Sequence, residues 1–148
     1  GLSEDKKYIL FGSMNDTSDK RKGFNELKLA LKLINNQDKN IELIVFGSSK
    51  PKDSQDFGFI EHYLGQIHDE VSLKTIYNSA DVMVVPSLQE NLSNVIMESL
   101  SCGTPVVGFN IGGNKDLINH KESGYLAKPL DVKDLAFGID WVFQNQKQ

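Results

Sequence analysis

Hydrophobic positions fall in short, nearly unbroken runs along this chain, and polar, glycine-bearing segments separate them. KYILFG at Lys7–Gly12, IELIVF at Ile41–Phe46 and VMVV at Val82–Val85 scarcely alternate between apolar and polar positions. Runs of that kind, closed by glycine or proline, predict strands buried on both faces of a parallel sheet. Weaker runs at 59–64, 105–109 and Gly124–Ala127 predict three more. Between the runs the spacing turns helical. Leu27, Ala30, Leu31 and Ile34 share one face of a helix that Gly23 opens and that reaches about Asn36. Leu73, Ile76 and Tyr77 mark a second helix, begun by Asp69 or Ser72 and closing at Ala80. Val95, Ile96 and Leu100 mark a third, capped by Asn91, Ser93 or Asn94 and stopped by Gly103 and Pro105. A short helix follows Gly112-Gly113, and Leu135, Ile139 and Trp141 define a closing helix at 132–143. The segments 13–23 and 48–58 are polar without a period and read as surface loops. Strands and helices alternating at this rhythm predict an α/β fold with a doubly wound, Rossmann-like parallel sheet.

In such a sheet the loops at the carboxyl ends of the strands line the ligand crevice. Residues 86–116 read PSLQENLSNVIMESLSCGTPVVGFNIGGNKD, which brings Glu90, a helix N-terminus and Gly112-Gly113 to one cleft. The backbone amides of Asn91, Leu92, Ser93 and Asn94 form the first turn of that helix. Unpaired donors and the helix dipole suit an anion such as a diphosphate. A vicinal diol offers two donors and a carboxylate two acceptor oxygens, so Glu98 suits a ribose and Glu90 the hydroxyls of a sugar. The plainer alternative makes Glu90 a solvated loop residue and Glu98 a surface position on a helix. Arg21 and Lys22 stand just before Gly23, at the start of the first long helix. The plainer reading of DKRK is a solvated charge run. Gly12, at a strand end, permits close backbone approach. His68 follows the third strand and reads as a surface residue rather than a general base. His62 and His120 show no partner pattern, and Cys102 reads as a buried filler.

Composition narrows the classes. A chain of 148 residues is most simply one domain. The formal charge of −4 argues against a broad nucleic-acid footprint. One cysteine excludes an internal disulfide and a multi-cysteine metal site, and no other metal-ligating pattern is present. No apolar run reaches membrane-spanning length, and the first residues have no signal-peptide pattern. A dinucleotide-dependent dehydrogenase is disfavoured, because no G-x-G-x-x-G follows the first strand.

The spacing Glu90-x7-Glu98 lies within ADVMVVPSLQENLSNVIMESLSCGTPVVGFNIGGNKDLI, and SGYLAKPLD follows. Together they resemble the donor-binding half of retaining glycosyltransferases of the GT-B fold, family 4, the glycosyl transferases group 1. The likeness runs from Tyr8 to about Trp141 and leans toward capsule and exopolysaccharide enzymes. It implies that residues 1–148 form a nucleotide-sugar-binding C-terminal domain, with an N-terminal acceptor domain outside this chain. Gly1, without an initiator Met and a few residues before the first strand, carries the same expectation.

The resemblance further implies a retaining hexosyltransferase in which Glu90 and Lys22 are catalytic. Glu90 would contact the donor sugar and Glu98 the ribose, and Lys22 before Gly23 would clasp the diphosphate. The family's Arg beside Gly12 is Ser13 here, so Arg21 would have to reach the phosphates instead. Ser93 stands where many members carry Gly, which would narrow the approach of the sugar. The donor implied is a UDP- or GDP-sugar, with no separate cofactor and no metal, and the acceptor a saccharide or lipid-linked building block. The resemblance implies a cytoplasmic location, peripheral at the inner membrane face through the other half, and little transfer by this chain alone. Two rivals stand beside it. A nucleotide-sugar epimerase half-domain has only His68 to offer as a base. A non-catalytic nucleotide-binding module would be indifferent to Glu90→Ala.

Overall fold

The unbroken apolar runs become the inner strands of one parallel sheet. The computed structural model describes residues 5–12, 23–34, 40–47, 58–88 and 94–145. In chain order the elements are β1 (Lys7–Gly12), α1 (Phe24–Leu33), β2 (Ile41–Phe46), β3 (Ile60–Tyr63), α2 (Glu70–Ser79) and β4 (Val82–Val85). There follow α3 (Asn94–Ser101), β5 (Val106–Phe109), α4 (Asn114–Leu117), β6 (Gly124–Ala127) and α5 (Val132–Gln144). The strands pair in the order β3-β2-β1-β4-β5-β6, every pair parallel. The expected doubly wound α/β fold is the fold observed.

Alternate side chains of each inner strand face opposite layers, as the pleat requires. Ile9, Phe11, Leu43, Val45, Val82 and Val84 pack with the buried residues of α1 and α5. Tyr8, Leu10, Ile44, Phe46, Met83 and Val85 pack with Tyr77 of α2, Ile96 of α3 and Ile118 beyond α4. Burial on both faces is what a continuous apolar run makes possible.

Caps fix the helix ends. The Asp69 carboxylate accepts the Ser72 amide at 2.8 Å, which decides between the two expected starts of α2. Asp131 likewise accepts the Asp134 amide at 3.0 Å and opens α5. The C-terminus of α3 is a Schellman motif. Gly103 takes φ 78 there. Its amide reaches Leu100 O at 3.0 Å, and the Thr104 amide reaches Ser99 O at 3.0 Å. One boundary departs from expectation. Helix α1 ends at Leu33 rather than near Asn36, because Ile34 turns extended (φ −87, ψ 129) while staying buried. Asparagine is a poor helix former, and two follow in the sequence at 35 and 36. Strands β3 and β5 are each shorter than their apolar runs, and α5 reaches Gln144.

Candidate functional site

Strand order reverses between β1 and β4: β2 and β3 lie to one side, β5 and β6 to the other. In open α/β sheets that switch point is where a ligand crevice opens beyond the carboxyl ends of the strands. Two glycines shape its floor. Gly23 takes φ 78 as the N-cap of α1, and a Cβ there would lie 1.8 Å from the Pro86 carbonyl oxygen. The start of α1 is thus seated backbone to backbone on the end of β4. At Gly12, a Cβ would come within 2.9 Å of the Phe46 ring, so the end of β1 can carry no side chain unless that ring moves. Pro86 and Ser87 are both buried beside this junction.

Glu98 occupies α3, the helix that follows β4, with its residue exposed to solvent. Its Oε2 accepts a hydrogen bond from the Tyr77 hydroxyl at 2.9 Å. Tyr77 itself is only 1% exposed. Its ring meets Phe46 edge to face, with centroids 5.9 Å apart and planes at 79°. Burial, then the Glu98 carboxylate, push the phenol well above its ordinary range, so the hydroxyl stays a donor. The backbone beneath is braced as well. The Thr104 hydroxyl donates to Tyr77 O at 2.6 Å, and the Ser99 hydroxyl donates to Thr104 O at 3.0 Å. Both bonds are buried, so each satisfies groups that water cannot reach. Sequence reasoning took Tyr77 only for an apolar helix position. A tyrosine in place of leucine or phenylalanine on that face was the one available signal, and a weak one.

Of the residues expected to form the site, the structure describes Gly12, Asn94 and Glu98. Gly12 ends β1, and Asn94 is the first described residue of α3, exposed. Arg21, Lys22, Glu90, Asn91, Leu92 and Ser93 lie outside the described residues. Gly112 takes φ 53, while Gly113 caps α4 at φ −85. On the far side of the crevice, the Gln66 side-chain amide donates to Gly47 O at 2.6 Å and ties the loop after β3 to the end of β2. His68 in that loop is exposed.

The other two histidines are structural. His62 sits 2.7 Å from the buried Glu42 carboxylate, and His120 Nδ1 accepts the Leu126 amide at 3.0 Å. Cys102 is half-buried in the turn after α3, where a buried position was expected, because the Schellman turn lifts it toward the surface. Among the described residues no group of His, Cys, Asp and Glu is placed to hold a metal ion. No helix among them is long and apolar enough to cross a membrane. A cavity of about 730 Å³ opens at the opposite end of the sheet, lined by Lys7, Asp81, Trp141 and Asn145 among others. It shares no residue with the crevice floor.

This fold and chain recur in known proteins. The chain is 32% identical over 153 residues to an uncharacterised glycosyltransferase of Methanocaldococcus jannaschii, covering 98% of this chain and 38% of that protein. Among solved structures, sucrose-phosphate synthase from Thermosynechococcus elongatus superposes with a TM-score of 0.81 at 29% identity, over 97% of this chain and 38% of the synthase. HepE of Anabaena, solved in complex with UDP, shares the fold with a TM-score of 0.76 at 22% identity, over 95% of this chain and 40% of its own. The chain therefore spans 38% of the length of the M. jannaschii protein and a similar share of the two proteins of known structure. A family model matches residues 5–145, every strand and helix of the sheet and its layers, and the chain belongs to that family, the glycosyl transferases group 1.

Proposed function

We propose that this chain is the C-terminal, donor-binding part of a retaining glycosyltransferase, holding a nucleoside-diphosphate sugar at the switch point between β1 and β4. The observation that carries the reading is the position of Glu98. It stands on the helix after β4 and is joined through Tyr77 to Phe46, whose ring closes over Gly12 at the end of β1, in a chain that the family model matches over residues 5–145. HepE, which shares the fold, has been solved with UDP and with UDP-glucose, which favours a uridine donor.

In this reading Glu98 takes the ribose diol, and the amides of Asn91, Leu92, Ser93 and Asn94 take the diphosphate. Glu90 holds the sugar hydroxyls. As the glycosidic bond breaks, negative charge grows on the leaving nucleoside diphosphate, and Lys22 stabilises it, with Arg21 in support. The acceptor, a saccharide or lipid-linked building block, attacks from the face the diphosphate leaves, so configuration is retained. An acceptor domain outside these residues completes the enzyme, at the cytoplasmic face of a membrane. The chain alone transfers little or nothing.

Calorimetric titration with UDP, GDP and their sugar conjugates tests the reading, alongside Glu98→Ala and Lys22→Ala. Selective binding of one nucleotide, weakened by both substitutions, is the expected result. Binding that ignores both substitutions would overturn it.

A further inference from the structure

The Tyr77–Glu98 hydrogen bond joins two helices at the crevice and belongs to no packing need of either. A phenylalanine at 77 would fill the same space, and the exposed Glu98 carboxylate could satisfy itself with water. Helical side chains lean toward their own N-termini. Helices α2 and α3 both begin at the carboxyl ends of strands, so the Tyr77 ring and the Glu98 carboxylate both lean toward the crevice. The ring contact with Phe46, the last residue of β2, fixes Tyr77 under that rim. An exposed glutamate has rotamer freedom of its own, whereas the buried phenol has none to speak of.

From this geometry we infer that Tyr77 is the positioning residue for Glu98, holding one carboxylate oxygen so that the other faces the ribose diol of the donor nucleotide. The inference rests on the donor-site reading given above. A carboxylate has about four lone-pair sites. Tyr77 occupies one of them at Oε2, which leaves Oε1 whole and a second site on Oε2 for the two hydroxyls of a diol. Burial keeps the phenol protonated, so the contact donates to Glu98 throughout the neutral range. Orienting contacts of this kind behind a binding group set how well it is aimed. Discrimination between ribose and deoxyribose therefore depends on Tyr77 although it touches neither.

The test uses the 148-residue chain with four probes: UDP, 2′-deoxy-UDP, GDP and 2′-deoxy-GDP. Wild type should prefer the ribonucleotide of one base, and Glu98→Ala should abolish that preference. Tyr77→Phe should weaken the ribonucleotide about tenfold and the deoxynucleotide far less. In the Glu98→Ala background, Tyr77→Phe should add nothing further. A merely structural role for Tyr77 would weaken both nucleotides alike, and that result would overturn the inference while leaving the donor site standing. So would full retention of the ribose preference in Tyr77→Phe when Glu98→Ala has lost it. If wild type binds neither base, or if Glu98→Ala keeps the preference, the donor-site reading fails and takes this inference with it. Should Tyr77→Phe not fold, ring-labelled tyrosine in the otherwise wild-type chain serves instead. The Tyr77 Cζ resonance should shift on Glu98→Ala, and an unmoved resonance would remove the contact itself.

Discussion

The two helical layers of this molecule are held down by different means. On one face α1 buries Phe24, Leu27, Ala30 and Leu31, and α5 buries Leu135, Ala136, Gly138, Ile139 and Val142. On the other face α2 buries Tyr77 alone, and α3 only Ile96 and Ser99. That thinner layer leans more on polar bonds: Tyr77 to Glu98, Thr104 to Tyr77, Ser99 to Thr104, and Asn114 to Phe109 O at 2.8 Å. Apolar volume is non-directional and gives stability, whereas hydrogen bonds have geometry and fix where a side chain points. The layer that carries Glu98 is therefore built for aim, and its opposite for anchorage.

The sharpest break of that contrast lies in the anchoring layer. Ile139→Ala removes a fully buried side chain between α5 and the sheet. It should lower stability by about 2–5 kcal/mol in urea or thermal unfolding, with nucleotide affinity unchanged wherever the chain stays folded. A comparable loss of affinity would show that the two layers are not separable. Thr104→Val should cost less, about 1–2 kcal/mol, because the Tyr77 carbonyl loses its 2.6 Å hydroxyl donor. It should also weaken binding through α2, so its effect on affinity should exceed that of Ile139→Ala despite the smaller loss of stability.

Leu130 tests whether strain is tolerated in the anchoring layer. It takes φ 62 in the turn before α5, and it is 62% exposed. A left-handed backbone costs a leucine about 1–2 kcal/mol, and glycine gives part of that back as chain entropy. Leu130→Gly should then stabilise the chain by about 0.5–1 kcal/mol, read as a raised Tm. Unchanged or lowered Tm would mean that Leu130 makes a favourable contact which offsets the strain.

The last effect is absent at neutral pH and appears only on alkaline titration. Burial, and then the hydrogen bond to Asp134, push the Tyr125 phenol up to about 12. In the unfolded chain it would ionise near its ordinary value of 10.0, so above that pH the unfolded state binds fewer protons than the folded one. The contribution is whole below pH 10 and lost as pH rises toward 12, and Tyr125→Phe should flatten that decline. Equal slopes for the two proteins would count against the Tyr125–Asp134 clasp.

Much of the fold was legible because inner parallel strands have to be apolar on both faces. Lys7–Gly12, Ile41–Phe46 and Val82–Val85 could hardly be anything else. Helix starts were narrowed to a few capping residues, as with Asp69 or Ser72 for α2, while the exit after Leu33 was read about three residues too late. The site was legible only in part. Glu98 is a candidate by its spacing from Glu90, but its hydrogen-bond partner Tyr77 sits 21 residues away on another helix, and no local pattern encodes that meeting. The Glu42–His62 contact went unseen for the same reason, being made across neighbouring strands.

The contact of Gly23 with Pro86 also has a meaning in time. Strand β1 can pair with β2 as soon as the chain between them has formed α1, but its union with β4 brings Tyr8 to Asp81 across 73 residues. Closures of that span are slow, because their entropy is lost before any contact rewards it. A crevice whose two walls are β1 and β4 cannot exist until that late step is complete. On the donor-site reading, affinity for nucleotide should then lag behind the return of helical signal on refolding, and the ligand itself would report when the chain has finished.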